Sequence, residues 1–293
     1  MLLTLDCIPC MANSFVRLLK ALGLPEKEKE IALRHLLNAL AEADYQQSPP
    51  ALAGEMHRVI RAILKNPDPY KDIKEKWNRV MMDLYPDFQK IVREAEDPFY
   101  TAMRLAVAAN VIDFGSQQQL DFMNTIDRGI HARLAIDDSP QLKRAVNSAN
   151  TVLYVGDNCG EIVLDRLFIE TMNHPNVYYA VRGGPIINDA TLIDAKDVGM
   201  DQVARVITTG DDSPGAVWDK ACQEFQQVFK QADVVISKGQ GNLEGLIEVE
   251  QNSYFLLVTK CHLIAEHLRE KTEAFIVGWR PILATLVPQS NGR

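Results

Sequence analysis

Polar side chains follow three apolar segments of the chain, in the pattern expected where buried strands end. Asp157 and Asn158 follow the first segment, Asp189 lies a short distance beyond the second, and Lys238 follows a third. Two carboxylates and an amide supply hard oxygen ligands, a set suited to Mg²⁺ or Mn²⁺ with several positions left for water. Lys238 stands in a glycine-flanked loop that opens a helix, where backbone N–H groups and an ammonium can hold a phosphate. The residue types therefore predict a metal site beside a phosphate site.

Each of these features also has an ordinary structural explanation. An aspartate and an asparagine after a strand often form a tight turn or cap a helix, and Asp189 before an apolar helix could do the same. Gly239 and Gly241 enclose a glutamine in a common tight-turn sequence. Arg182, at the end of the second segment, could pair with a phosphate or lie on the surface. The metal and phosphate interpretation is favoured because all three polar sets stand at strand ends and their charges complement one metal and one phosphate.

From residue 151 the chain alternates between short apolar, β-branched segments and segments with helical spacing. This alternation predicts right-handed βαβ units and a mostly parallel sheet covered by helices on both faces. In such a Rossmann-like, three-layer α/β/α domain, ligands bind at the carboxyl ends of the strands, where the polar sets lie. The predicted strands span residues 152–155, 177–181, 203–207, 234–237, 254–258 and 274–277.

The first half of the chain predicts a helical domain. Between about residues 8 and 148, apolar residues recur at helical spacing, proline-containing turns separate the segments, and almost no strand pattern is present. One of the predicted helices runs from Pro98 to about Phe114. We therefore expect an all-helical domain over residues 1–148 and the Rossmann-like α/β domain, which carries the predicted site, over residues 149–293.

Composition limits the classes of function. The 293 residues carry a net charge of −8 without a basic patch, which argues against binding to nucleic acid. No apolar run approaches the roughly 20 residues of a membrane span, and the first residues lack the positive start of a signal peptide. Five scattered cysteines predict reduced thiols rather than a disulfide framework. We expect a cytoplasmic protein without a membrane partner, and its oligomeric state cannot be predicted from these features.

Three motifs at the strand ends together resemble the metal-dependent damage-control phosphatases, a family long labelled only as domain of unknown function eighty-nine. The motifs are GDNCGEIVLD at 156–165, NDAT at 188–191 and KGQGNLE at 238–244. Cys7 and Cys10 form a CxxC that resembles the mainly prokaryotic branch of the family, and ANVIDFG at 109–115 resembles a further family motif. The match spans nearly the whole chain in the right order. It implies a helical domain beside a three-layer α/β/α domain.

By position, the resemblance implies that Asp157, Asn158 and Asp189 are the ligands of a divalent metal, for which Mn²⁺, Co²⁺, Ni²⁺ and Mg²⁺ are the expected ions. Glu161 stands where the family keeps a carboxylate close to the metal, and it would orient a water. Asp165 lies one turn further on the same helix face, which predicts an outer position behind the metal ligands or a salt bridge. The predicted catalytic residues are Asp157, Glu161 and Lys238.

Residues from both predicted domains would bind the substrate. Lys238 would hold the phosphate, helped by Asn242 and the amides of its loop, and Asn110 and Asp113 would close the pocket from the helical side. A zinc site at the CxxC would need further ligands that the sequence does not offer. A structural or pocket-lining role for the CxxC is also favoured over a redox pair. The predicted substrate-binding residues are Asn110, Asp113, Arg182, Lys238, Gly239, Gly241 and Asn242.

These residues predict a phosphatase that hydrolyses phosphate monoesters of small metabolites, such as sugar phosphates or damaged phosphometabolites, by metal-activated water. A route with Asp157 as nucleophile stays open. One alternative is a methyltransferase that uses S-adenosylmethionine, because residues 152–156 resemble its first glycine motif. Such enzymes usually place an acidic residue at the end of the second strand, where Arg182 stands. The other alternative is a non-catalytic sugar-phosphate or nucleotide-binding protein, which would need Lys238 but not both aspartates.

Overall fold

A seven-stranded sheet forms the centre of the molecule, and the N-terminal helices pack beside it. The computed structural model describes residues 1–21, 24–110, 126–127 and 129–287. Within these residues, no helix is long and apolar enough to cross a membrane. The α/β fold class with a mostly parallel sheet is confirmed.

Six helices precede the first strand in the residues described up to position 110. Three of them carry proline in their first turn, where the missing N–H has no intrahelical partner to lose. Asp97 caps the sixth helix, since its side chain accepts a hydrogen bond of 3.1 Å from the N–H of Tyr100. The helices are α1 Cys7–Ala21, α2 Glu26–Glu42, α3 Pro49–Leu64, α4 Lys71–Asp83, α5 Tyr85–Glu94 and α6 Pro98–Ala109.

The strands of the sheet lie in the order β1-β7-β6-β5-β2-β3-β4. All neighbouring strands in this order are parallel except β6 and β7, which are antiparallel. Every residue of β2, β5 and β6 is buried, as expected for central strands covered on both faces. The strands are β1 Leu134–Asp137, β2 Val152–Val155, β3 Val177–Val181, β4 Arg205–Thr208, β5 Val234–Lys238, β6 Ser253–Val258 and β7 Phe275–Trp279.

Helices cover both faces of this sheet. Alternate strand residues point into two apolar cores, so that Tyr154 belongs to one core and its neighbours Leu153 and Val155 belong to the other. A third core lies among the N-terminal helices around Leu36 and Leu52. The remaining helices are α7 Ser139–Ser148, α8 Glu161–Met172, α9 Leu192–Asp197, α10 Gln223–Gln231, α11 Gln240–Leu246, α12 His262–His267 and α13 Arg280–Leu286, with short 3-10 helices at Met200–Gln202 and Trp218–Lys220.

The strand order reverses its direction at β2. From β2 the chain adds β3 and β4 on one side, and it then returns to place β5 and β6 on the other. Such a reversal opens a crevice at the carboxyl ends of the two central strands, where ligands of open α/β sheets bind. Asp157 follows β2 and Lys238 ends β5, so this crevice contains the two loops predicted to carry chemistry.

Two local predictions differ clearly from the structure, and a third extends beyond the described residues. The strand β1 was missed, because its residues Leu134–Asp137 include no β-branched run like that of β2 and its partner β7 lies far along the chain. The strand predicted at 203–207 is shifted to Arg205–Thr208. The helix predicted to reach Phe114 is described from Pro98 to Ala109, and its remainder lies outside the described residues. Since β1 precedes residue 149, the sheet begins within the predicted helical domain, and the division into 1–148 and 149–293 stays a prediction.

Candidate active site

The loop after β2 and the loop after β3 are paired through their backbones. The N–H of Ala190 donates to the carbonyl of Asp157 at 2.9 Å, and a second bond of 2.8 Å joins the loops at the N–H of Cys159. As a result, Asn158 and Asp189 face each other in an isolated antiparallel bridge. The structure thus brings together all three predicted metal ligands.

Arg182 lies against two of these ligands. Its Nε donates to Oδ2 of Asp189 at 2.7 Å, and its Nη2 is 3.4 Å from Oδ1 of Asp157. The side chain is 1% exposed, so the alternative that Arg182 is a surface arginine is wrong. Its Nη1 is buried and has no hydrogen-bond partner among the described residues. We call Asp157, Asn158, Asp189 and Arg182 the aspartate cluster.

Asn110 reaches the aspartate cluster from the end of helix α6. Its Nδ2 donates to Oδ2 of Asp157 at 3.0 Å and to Oε2 of Glu161 at 3.1 Å, and its Oδ1 accepts from the N–H of Val258 at 3.4 Å. Asn110 therefore lies at the helical side of the site, where it was predicted. Asp113, which was predicted beside it, lies outside the described residues.

Lys238 does not lie free in its loop, as a phosphate-binding lysine would. Its Nζ is 2.5 Å from Oε1 of Glu161 and 2.7 Å from Oδ1 of Asp165, and it also donates to a backbone carbonyl of α6 at 2.8 Å. All three charged side chains are fully buried. Tyr154 and Tyr179 donate their hydroxyl groups to the two oxygens of Asp165, at 2.7 and 2.9 Å. We call these five residues the lysine cluster.

The lysine cluster changes the interpretation of Lys238. Glu161 and Asp165 lie one turn apart on α8, and the ammonium lies between their carboxylates. The salt bridge expected for Asp165 is present. A direct contact between Lys238 and a phosphate stays a prediction that these contacts do not support.

Two glycines of the Lys238 loop occupy positions that a side chain would not fit. Gly239 has a φ of 78°, and a Cβ there would overlap the carboxylate of Asp157. Gly241 lies against the backbone of Pro214 and Gly215, and a Cβ there would overlap the carbonyl of Pro214. The loop therefore approaches the aspartate cluster closely, as a substrate-binding loop must, and the substrate contacts of both glycines stay predictions.

Asn242 links the ends of two central strands. It is fully buried, and its Nδ2 donates to the carbonyls of Gly156 and Lys238 at 3.0 and 2.6 Å. Its Oδ1 accepts from the N–H of Ala216 at 2.6 Å. These bonds hold β2 and β5 at the crevice, so Asn242 acts on the site by fixing the strand ends. Its predicted contact with a substrate stays a prediction.

Burial and mutual repulsion shift the pKa values of the clustered carboxyl groups. Burial raises the pKa of Asp157, and the nearby Glu161 carboxylate adds to this rise. Burial also raises the pKa of Asp189 to about 7 and that of Asp165 to about 6, against the opposing charges of Arg182 and Lys238. For Glu161, burial alone would raise the pKa, but the Lys238 ammonium outweighs it and the pKa is lowered.

The charges of the two clusters fit a divalent metal. Four carboxylates face two buried cations, from Arg182 and Lys238, which leaves an excess of two negative charges when all are ionised. The carboxylates of Glu161, Asp165 and Asp189 are buried, and that of Asp157 is partly exposed. The described residues contain no group of three or more His, Cys, Asp or Glu side chains that could hold a metal ion. The predicted ligand set instead combines two carboxylates with the amide of Asn158, whose Nδ2 is bonded to Asp157 and Glu161 and whose oxygen takes no part in those bonds.

Sequence reasoning missed a charged side chain beside the site. Lys260 follows β6 and is exposed. Its charge opposes the rise in the pKa of Asp157 that burial and Glu161 cause, so its ammonium lies within electrostatic range of the aspartate cluster. The sequence contained a signal for Lys260, because this residue follows a predicted strand in the same way as the other polar sets do.

The five cysteines carry free thiols and range from exposed to buried. Cys7 and Cys10 lie in the first turn of α1 with free thiols, and Cys10 is exposed. Cys159 is buried beside the aspartate cluster, and burial raises the pKa of its thiol well above the usual range. This matches a packing role for Cys159, and the role of the CxxC stays open.

The model of a known protein family matches most of the chain. This family is the damage-control phosphatase ARMT1-like domain, and the match covers residues 3–275.

Individual relatives agree with this match. An uncharacterised protein of Methanocaldococcus jannaschii is 32% identical over 90% of this chain and 90% of its own length. A damage-control phosphatase of Pyrococcus horikoshii is 33% identical over 92% of this chain and 96% of its own length. The crystal structure of a DUF89 family protein from the same organism superposes with a TM-score of 0.88 at 31% identity, over 96% of this chain and 99% of the other.

Proposed function

The chain belongs to the damage-control phosphatase ARMT1-like domain family, and from this premise we propose that it is a metal-dependent phosphatase acting on phosphate monoesters of small metabolites. The observation that carries the proposal is the charge of the site, where four carboxylates, three of them buried, face two buried cations. A divalent ion held by the oxygens of Asp157, Asn158 and Asp189 would neutralise this excess. Mn²⁺, Co²⁺, Ni²⁺ and Mg²⁺ are the ions we propose.

Arg182 is the residue best placed to bind the phosphoryl group. Its Nε and Nη2 lie against Asp189 and Asp157, while its buried Nη1 has no partner among the described residues. A phosphoryl oxygen would satisfy this nitrogen with a charge-assisted hydrogen bond. Lys260, exposed beside the cluster, supplies a further cation for the substrate.

Glu161 is placed to receive a proton from the attacking water. The Lys238 ammonium, at 2.5 Å, keeps its carboxylate ionised although the side chain is fully buried. A divalent ion, when bound, withdraws electron density from the phosphoryl group and makes water a better nucleophile. Attack by water breaks the ester P–O bond and yields an alcohol and inorganic phosphate. In this proposal Lys238 acts through Glu161, and Asp157 acts as a metal ligand.

The two alternative functions gain no support from the contacts of the site. A methyltransferase of the kind considered would need an acidic residue at the end of β3 to bind ribose, and Arg182 stands there in a buried ion pair with Asp189. A non-catalytic phosphate-binding protein would bind the same compounds without turnover, which an activity assay distinguishes.

The proposal is tested by stripping the protein of metal and assaying p-nitrophenyl phosphate and a panel of sugar phosphates with each of the four ions. We expect turnover that depends on added metal and is lost in Asp157→Asn. The matched control is Asp201→Asn, which makes the same change at an exposed position, and it should retain wild-type turnover. Absence of metal-dependent turnover on every compound would overturn the proposal, as would equal rates in the Asp157 variant and the wild type.

A further inference from the structure

Helix α4 directs two polar side chains into the interior beside the aspartate cluster. Lys74 and Asn78 lie one turn apart on this helix and are 4% and 5% exposed. They lie next to the apolar residues Trp77 and Met81, which are buried in the core of the α/β region. A polar side chain at such a position loses its contact with water, so it is retained only where it finds partners.

The first partner of Asn78 is the loop that carries Asp157 and Asn158. Its Oδ1 accepts a hydrogen bond of 2.6 Å from the N–H of Gly160, the residue that precedes helix α8. Gly160 is buried and has a φ of 76°, so its N–H belongs to a tight turn without access to water. Asn78 therefore holds the end of this loop from the helical side of the molecule.

The second partner of Asn78 is the loop that carries Asp189. Its Nδ2 is 3.3 Å from Oδ1 of Asp194. The other oxygen of Asp194 accepts from the N–H and the hydroxyl of Thr191, at 2.9 and 2.7 Å, in a capping box that starts helix α9. Thr191 follows Asp189 by two residues, so the contact of Asn78 reaches the second ligand loop through its helix cap.

Lys74 strengthens this second connection. Its Nζ is 3.3 Å from Oδ2 of Asp194 and 3.0 Å from Oδ2 of Asp68. The ammonium thus compensates the buried carboxylate that Asn78 contacts. Together the two side chains fix the Asp194 carboxylate to helix α4, while the amide of Asn78 alone also reaches Gly160.

We propose that Asn78 is a positioning residue that fixes both metal-ligand loops to helix α4. The loops are joined to each other by backbone hydrogen bonds, and Asn78 fixes both to a third element that carries none of the ligands. Side chains that hold metal ligands in place from behind commonly change metal affinity when they are removed. The inference rests on the proposed function for the metal, but the positions of the loops can be measured without it.

The test compares hydrogen–deuterium exchange of the metal-free wild type with that of Asn78→Leu, which fills a similar volume without hydrogen-bonding groups. We expect faster exchange in peptides covering 157–161 and 189–194, and unchanged exchange in peptides from β5 and β6. Arg79→Ala, an exposed change on the same helix, should leave both loops unchanged. Unchanged exchange in both loops of a folded Asn78→Leu protein would overturn the proposal.

A second variant separates the two contacts and remains useful if Asn78→Leu fails to fold. Asn78→Asp keeps an oxygen that can accept from Gly160 but loses the donor to Asp194. We expect it to retain slow exchange at 157–161 and to show faster exchange at 189–194. Wild-type exchange at 189–194 in this variant would contradict the proposed link to the second loop.

Metal binding provides a readout that a purely structural role would not change. Titration of Mn²⁺ into metal-free Asn78→Leu should give a Kd at least about tenfold weaker than that of the wild type, with kcat recovering at saturating Mn²⁺. An unchanged Kd in a variant with loosened loops would overturn the link to the metal. If the wild type itself binds no Mn²⁺, the proposed function fails, while the exchange data still decide whether Asn78 positions the loops.

Discussion

The aspartate cluster and the lysine cluster contain the same charges and differ in how completely those charges are satisfied. Each places two carboxylates around one buried cation. In the lysine cluster, Nζ of Lys238 has three acceptors, and both oxygens of Asp165 accept hydrogen bonds. In the aspartate cluster, Nη1 of Arg182 has no partner among the described residues, and the side chain of Asp157 is 13% exposed.

This difference assigns different tasks to two similar sets of charges. A buried ion pair whose hydrogen bonds are complete contributes to the fixed geometry of a site, and removing one partner leaves an uncompensated charge. The aspartate cluster carries excess charge and an unpaired donor, so it can still bind ligands of both signs. Asn110 and Glu161 connect the two clusters, so the closed cluster holds the open one in position.

The largest effect should follow from Asp189→Asn in the aspartate cluster. We expect kcat to fall roughly a thousandfold, equivalent to about 4 kcal/mol in the barrier, because the proposed metal ligand loses its charge. The free energy of unfolding should change little, since burial has already raised the pKa of Asp189 to about 7 and a neutral group suits the position. Steady-state kinetics and urea unfolding measure the two quantities. A large loss of stability with normal activity would show that this cluster is structural.

The opposite pattern is expected for Lys238→Met in the lysine cluster. The change leaves Glu161 and Asp165 buried without their cation, and this should lower the free energy of unfolding by about 3 kcal/mol or more. Urea unfolding measures the loss, and the double variant Lys238→Met with Asp165→Asn should recover part of it. A variant of wild-type stability with a raised KM for the phosphate ester would instead support direct phosphate binding by Lys238.

The pH dependence of metal affinity should reflect Asp189. With a pKa of about 7 in the metal-free protein, Asp189 carries a proton below that pH and must release it to become a ligand. The apparent affinity for Mn²⁺ should therefore fall up to about tenfold per pH unit below pH 7 and level off above it. Calorimetric titrations between pH 5.5 and pH 8 measure this. An affinity that is flat across the range would contradict the assignment of Asp189 as a ligand.

The smallest effect is expected for Tyr179→Phe. It removes one hydrogen bond of 2.9 Å to Asp165 and should cost about 1 kcal/mol of unfolding free energy without lowering kcat. Its matched control is Tyr178→Phe. Tyr178 is the neighbouring residue on the opposite face of β3, and its hydroxyl accepts an exposed hydrogen bond from Arg205. A larger loss in the control than in the buried variant would contradict the view that the lysine cluster is a closed structural unit.

The open cluster was easier to predict from the sequence than the closed one. Asp157 and Asn158 follow β2 closely and Asp189 lies in the loop after β3. Because the carboxyl ends of parallel strands meet at one edge, local pattern was enough to group them. For Lys238, the sequence showed a lysine followed by two glycines, Gly239 and Gly241, but not the direction of its side chain. Two carboxylates one turn apart on an apolar helix, Glu161 and Asp165, were a signal that a cation must lie between them.

Contacts formed across long stretches of chain were beyond the reach of local pattern. Asn78 donates to and accepts from groups that lie 116 and 82 residues away in sequence. The edge strand β1 is defined by its pairing with β7, which lies near the other end of the described chain. Such partners are chosen by the packed fold, because a short segment has no periodic pattern of its own that would identify them.

Calorimetric titration of Mn²⁺ into metal-free protein tests most directly the claim that one cluster is open and the other closed. We predict that the wild type binds a single ion per chain, that Asp157→Asn abolishes this binding, and that Asp165→Asn, which removes a carboxylate of the lysine cluster, retains it. Binding that survives in Asp157→Asn but is lost in Asp165→Asn would place the metal at the lysine cluster and contradict the account.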